Sequence, residues 1–156
     1  MVPAGLTFSI VTVMTKEETI QLAKQIATEH GLSPALVCAV IEQESGWNTW
    51  SQRFEPAFYD KYIAPHYPQR TTESIARATS YGLMQVMGAT ARELGFSDAS
   101  MVTLCNERTG IYWGCMKLES CLQKSKQDET SALLKYNGGS NKIYPSQVAA
   151  RKSKYS

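Results

Sequence analysis

The run Pro34–Ser45, PALVCAVIEQES, constrains the fold of this chain more than any other stretch. Ser33-Pro34 reads as an N-cap followed by proline at the first helical position, where a missing N–H costs nothing. Gly46 reads as the stop. Between these signals lies the most hydrophobic helix of the chain, and it ends in two glutamates, Glu42 and Glu44. Any fold this sequence adopts must therefore house a carboxylate at the end of an apolar helix.

Helical geometry separates the two acids. With about 100° per residue and Val40 as the origin, Leu36 falls at about −40°, Val37 at about 60° and Ile41 at about 100°. Glu44 falls at about 40°, in the middle of the apolar stripe, and Glu42 at about 200°, on the opposite face beside Cys38. Glu42 is expected to be solvated, whereas Glu44 points where a core residue would. Burial disfavours an ionised carboxylate, and the partial negative charge of a helix C-terminus disfavours it further. Both effects hold Glu44 towards its protonated form, which is the state a general acid needs. The competing reading, a carboxylate bonded to a backbone group or to an arginine across a domain seam, carries equal weight on this helix alone.

The rest of the chain is also punctuated as helices. Thr15 and Glu18 form a capping box ahead of an apolar face made by Ile20, Leu22, Ala23, Ile26 and Ala27, with Gly31 as the stop. Helices are predicted around Glu73–Ala78, over Ala89–Leu94 with Gly95 as the stop, over Asn106–Gln123, over Asp128–Tyr136, and after Pro145 into the basic tail. The charged stretch Lys124–Glu129 reads as a solvated connection between helices. From Trp47 to Thr71, Pro56, Pro65 and Pro68 exclude one long helix, and an irregular segment with a short helix or two is expected. No internal repeat and no long linker appears.

Composition narrows the function. At 156 residues, 43% of them hydrophobic, the chain suffices for one domain with a real core. A formal net charge of +2 is too small to argue for nucleic acid and fits an anionic polymer such as cell wall only weakly. The cysteines at 38, 105, 115 and 121 form no Cys-x-x-Cys pair and lie far from His30 and His66, so neither a metal site nor any cofactor is expected, and reduced thiols are. The first fourteen residues, MVPAGLTFSIVTVM, lack the positive region and clear cleavage site of a secretory signal and are too short to cross a bilayer. They are set apart as an N-terminal extension (residues 1–14), with residues 15–156 as a single domain. No membrane insertion is expected.

Three short motifs follow one another: Glu44-Ser45, Gly82-Leu83-Met84-Gln85, and Tyr136-Asn137-Gly138-Gly139. In that order, with Thr90-Ala91 after the second and with Asn106 and Gly110 on the long helix, they resemble the catalytic domain of soluble lytic transglycosylases, in the glycoside hydrolase family that also holds the goose-type lysozymes. The resemblance covers roughly residues 30–148. It implies a mainly α, lysozyme-like domain with a long glycan cleft, and cleavage of the β-1,4 bond between N-acetylmuramic acid and N-acetylglucosamine in peptidoglycan. By motif, Glu44 is implied as the single catalytic acid and base. It protonates the glycosidic oxygen and then takes the proton of the muramic C6 hydroxyl, which closes a 1,6-anhydro ring on C1. An internal nucleophile needs no second carboxylate to activate water, and holding it near C1 supplies the orientation.

Substrate contacts are expected from Ser45, Gly82, Met84, Gln85, Tyr136 and Asn137. Ser45 is equally readable as a helix-end cap and Met84 as packing, whereas Tyr136 is implied by the family pattern to hydrogen-bond near Glu44. A departure from a minimal family member is the segment around residues 50–72, read as an insertion flanking the cleft. Its Phe54, Phe58, Tyr59, Tyr62 and Tyr67 either stack on sugars or fill a small core, the latter being the commoner use. Glu55, Asp60 or Glu73 would be the second carboxylate of a water-using muramidase on the same scaffold, unless they pair on the surface, as Glu55 with Arg53. A non-catalytic glycan-binding module is the third reading, disfavoured by the retained Glu44. The expected partner is peptidoglycan, acted on at the bacterial wall (the periplasm) by a monomer. With no export signal apparent, delivery by a bacteriophage or release from the host cytoplasm is expected.

Overall fold

The computed structural model describes residues 13–156, so the N-terminal extension lies almost wholly outside the described residues. The described chain is mainly helical. The α-helices are α1 (Lys16–Glu29), α2 (Pro34–Ser45), α3 (Pro56–Phe58), α4 (Thr72–Arg77), α5 (Gly88–Glu93), α6 (Glu107–Lys124), α7 (Glu129–Tyr136) and α8 (Tyr144–Lys152). A π-helical turn follows α3 at Tyr59–Ile63, and 3-10 turns lie at Met101–Cys105 and Ser153–Tyr155. A small antiparallel sheet joins β1 (Gln52–Phe54), β2 (Thr79–Tyr81) and β3 (Val86–Met87), in that order.

Caps set the boundaries. The Thr15–Glu18 box closes reciprocally, with the Glu18 amide donating to the Thr15 hydroxyl at 3.1 Å and the Thr15 amide to the Glu18 carboxylate at 2.7 Å. Ser33, Asn106 and Asp128 each accept from an amide three residues on and so lie just outside their helices. Thr71 and Ser74 form a second reciprocal cap, which starts α4 one residue before the expected position. Pro145 lies within the first turn of α8, so this helix begins at Tyr144.

α2 is central. Leu36 through Ile41 are all buried, six consecutive residues, because α1, α8 and the C-terminal turn pack around it. Full burial of each of the large aliphatic side chains contributes about 1.5–3 kcal/mol. This wrapping corrects the expectation that Glu42 is solvated. Its side chain is only 22% exposed, and it accepts from Lys154 Nζ at 2.7 Å and from the Tyr155 hydroxyl at 2.8 Å. Tyr155 in turn accepts from Trp47 Nε1 at 2.9 Å, so the C-terminal turn is fastened to the end of α2.

Lys154, through its hydrogen bond, is the main reason the Glu42 carboxyl sits below the usual glutamate range. A carboxylate with a lowered native pKa contributes stability above its unfolded value, and that stability is lost as pH falls through the native value. Glu42→Gln is therefore expected to cost about 0.5–1 kcal/mol at neutral pH, modest because Lys154 is largely exposed. The difference should shrink in acid; thermal melts at pH 7 and pH 3 check it.

The segment after α2 is more ordered than proline content alone suggests. β1 pairs with β2, Gln52 opposite Tyr81 and Phe54 opposite Thr79. Behind it Tyr59, Ile63, Ala78 and Ala89 make a second small core, with Phe58 and Tyr67 packed against it. Three aromatics of the insertion, Phe58, Tyr59 and Tyr67, thus fill a core, while Trp50, Phe54 and Tyr62 stay exposed.

Three glycines let the loop between β2 and β3 sit tightly on α6. A Cβ at Gly82 or at Gly110 would overlap the carbonyl oxygen of Leu104, and one at Gly114 would overlap the Met84 side chain. Leu83 and Met84 are fully buried there. All four cysteines are buried, free thiols, and burial pushes Cys38 up to about 11 and Cys115 up to about 12.

Candidate active site

The end of α2, the β1 segment, the β2–β3 loop, α6 and the α7 C-terminus surround one open cavity of 860 Å³. Glu44, Gln85, Tyr136 and Asn137 line it, joined by Asn48, Trp50, Ser51, Gln52, Arg53, Glu55, Lys117 and Lys135 among others. Four of the residues expected from the motifs thus meet in one place, although they come from three separate stretches of the chain.

Glu44 projects into this cavity from the last turn of α2 and is half-buried. Its Oε1 accepts a 2.6 Å hydrogen bond from the Tyr144 hydroxyl. Burial raises its pKa above the ordinary glutamate value, and the Tyr144 bond, Lys117 and Arg53 oppose that rise without cancelling it. Lys117 responds in the opposite sense: burial lowers its pKa, and Glu44 partly restores it. Its Nζ rests 4.0 Å from the centroid of the Tyr136 ring, a cation–π contact that compensates a partly desolvated ammonium. Burial likewise pushes Tyr144 well up, so its hydroxyl remains a proton donor to Glu44 at every physiological pH.

The structure gives the other motif residues partners within the protein. Tyr136 does line the cavity, but its hydroxyl donates to the Met84 carbonyl at 2.7 Å, and the tyrosine that holds the Glu44 carboxyl is Tyr144. Ser45 donates to the carbonyls of Ile41 at 3.1 Å and Leu83 at 2.8 Å, tying α2 to the β2–β3 loop. Gly82 and Met84 are buried behind that loop and do not line the cavity. Gln85 reaches the cavity with its side-chain nitrogen already spent, donating to the carbonyls of Ser51 at 3.0 Å and Gly82 at 2.9 Å. Only its carbonyl oxygen remains to offer a ligand. The motif residues therefore divide into those that face the cavity and those that build the loop behind it.

Of the three candidate second carboxylates, Glu55 alone lines the cavity, and it is paired with Arg53. Asp60 is exposed on the π-helical turn. Glu73 is held by Arg92 at 3.0 and 3.1 Å and by Arg77 at 3.0 Å, and the Arg92 bonds above all keep its pKa low.

Two residues that matter here were missed by motif. Lys117 had a signal: it lies three residues after Gly114 and four before Cys121, on the buried stripe of α6, where a lysine is out of place. Tyr144 had none beyond its place in the stretch that carries the third motif, because its bond to Glu44 spans a hundred residues of sequence.

Residues 21–155 match the family model of the transglycosylase SLT domain. The chain is also similar to a protein named transglycosylase from Enterobacteria phage PRD1, 32% identical over 139 residues, which are 84% of this chain. That match spans 40% of the relative's length. With residues 21–155 matched by the family model and four of the motif residues gathered on one cavity, this chain belongs to the transglycosylase SLT domain family.

Proposed function

We propose that this protein is a lytic transglycosylase that cleaves the β-1,4 bond between N-acetylmuramic acid and N-acetylglucosamine in peptidoglycan and leaves a 1,6-anhydromuramic product. The observation that carries this reading is Glu44, which among the described residues lines the cleft without an ion-pair partner and has its pKa raised by burial, while the other acid on the cleft wall, Glu55, is ion-paired with Arg53.

The chemistry follows from that pair of environments. A protonated Glu44 donates its proton to the glycosidic oxygen as the C1–O bond breaks. Its new carboxylate then has the Tyr144 hydroxyl bond and the positive charges of Lys117 and Arg53 to stabilise it. Positive charge at C1 is met by the sugar's own C6 hydroxyl, which forms the new C1–O bond and returns its proton to Glu44. No water enters the balance, and the enzyme ends in the protonation state in which it began. The cleft needs only one titrating acid for both steps, whereas hydrolysis calls for a second carboxylate to prepare a water.

The competing muramidase reading rests on Glu55. Turbidity clearing of purified peptidoglycan by Glu55→Gln distinguishes them: the proposal expects retention of activity within a few-fold of the parent. Loss comparable with that of Glu44→Gln would favour hydrolysis.

Tyr144→Phe removes a donor that stabilises the Glu44 carboxylate, so the Glu44 pKa should rise further. Activity requires protonated Glu44, so the alkaline limb of the pH–rate profile is expected to move to higher pH, with a rate loss of about tenfold at the optimum. An unmoved limb would mean that this limb does not report Glu44.

The phage relative favours action on a bacterial wall from a phage-borne route. Among the described residues no helix is long and apolar enough to cross a membrane.

A further inference from the structure

We propose that Trp50 is a stacking platform for one N-acetylhexosamine ring of the bound glycan, and that the Gly82–Gln85 loop serves the site by clamping the backbone that presents it. The inference rests on the cleft being a glycan site and names one residue that sets the strand's position in it.

Trp50 is the most exposed of the three tryptophans, at 66%, and it lies on the cavity wall. The other two are used by the fold: Trp47 bonds and packs against Tyr155, and Trp113 stands edge-on to Phe96 and Tyr112. Among the described residues Trp50 joins no aromatic pair, no cation–π contact and no core cluster, and its indole N–H donates to nothing.

Its backbone is the opposite case. The residue before it, Thr49, donates its hydroxyl to the Cys105 carbonyl. The residue after it, Ser51, has a carbonyl that accepts from the Gly82 amide at 2.8 Å and from Gln85 Nε2 at 3.0 Å. The Trp50 amide itself donates to Asn48 Oδ1 at 3.1 Å.

A lone exposed aromatic on a free surface needs no explanation. An indole on a backbone fastened from both sides, inside a cleft, is presented at a fixed place: only its two side-chain torsions remain to be ordered when a ligand covers it. The ligand that fits is one with an apolar face and a polar edge. A pyranose ring presents axial C–H groups to the indole face, and its hydroxyl and acetamido groups can meet the free indole N–H and the amides of Asn48 and Gln52 on the same wall. The clamp also gives Gly82 and Gln85 a role in binding although Gly82 does not line the cavity and the Gln85 side-chain nitrogen is already spent.

The test is a titration with the β-1,4-linked tetramer of N-acetylglucosamine, followed by tryptophan emission and by calorimetry, on the parent, Trp50→Phe and Trp50→Ala. The parent's emission is expected to shift to shorter wavelength as the indole is covered. Trp50→Phe should lose that shift while binding within a few-fold of the parent, and Trp50→Ala should bind about five- to tenfold more weakly with an unchanged melting temperature. A shift that persists in Trp50→Phe, full affinity in Trp50→Ala, or no binding by the parent would overturn the proposal. Cleavage is read separately: a parent that binds through Trp50 without cleaving peptidoglycan sinks the enzymatic reading alone, and one that cleaves while Trp50→Ala binds normally sinks the platform alone.

Discussion

Glu44→Gln is expected to lower the rate of peptidoglycan cleavage by about 10²–10⁴-fold, the range ascribed to a positioned general acid and base, and to make the protein more stable at neutral pH. The two effects have one cause. Burial raises the native pKa of Glu44 above its ordinary value. A carboxyl with a raised native pKa binds more protons folded than unfolded between the two values, so stability falls as pH rises through that window. Below the ordinary glutamate value both states are protonated and the penalty is absent; above the raised native value the penalty is complete. Glutamine fills the same space, still accepts the Tyr144 hydroxyl bond, and carries no charge to desolvate. The melting temperature of Glu44→Gln should therefore exceed the parent's at pH 7 and match it near pH 3. A variant that lost activity and stability together at pH 7 would mark Glu44 as a structural carboxylate instead.

Gly82→Ala is expected to produce a large loss of stability. Gly82 has φ +74°, where an L residue costs about 1–2 kcal/mol. The added methyl group would also meet backbone, the carbonyl of Leu104, with its carbon at 3.3 Å and the Cys105 Cα at 3.4 Å. Backbone of a packed 3-10 turn cannot swing aside as a side chain would, so overpacking adds about 1–3 kcal/mol. The sum, about 2–5 kcal/mol, corresponds to a fall of roughly 5–15 °C in melting temperature for a chain of this size. A glycine kept for close approach of sugar would behave differently, leaving the melting temperature intact and weakening glycan binding. Thermal melts with parallel binding measurements separate the two.

How legible the site was in the sequence depended on the range of the interaction. The cap and stop signals that delimit α1 and α2 are local, and they appear where the residues put them. Glu44's burial was legible because a helical wheel needs only the chain's own neighbours, and Glu44 does project half-buried from the last turn of α2. Glu42 was not, because the wheel takes the far face of α2 to be water, and Lys154 and Tyr155, from the other end of the chain, cover it.

The sheet escaped notice because β1 and β2 have three residues each and β3 has two, too few for a period of two to emerge. The motif around Gly82 revealed where the chain passes the cleft without revealing which side chains face it. Of its four residues only Gln85 lines the cavity, and the others secure the loop against α6 and Leu104. Lys117 shows that a charged residue on a buried stripe is worth reading in any helix, as Glu44 was in α2.

The most direct test of the central claim, one acid serving an internal nucleophile, is mass spectrometry of the fragments released from purified peptidoglycan in water labelled with heavy oxygen. Muropeptides one water lighter than hydrolysis products, with no label and no new reducing ends, are expected. Fragments that carry the label on a new reducing end would contradict it.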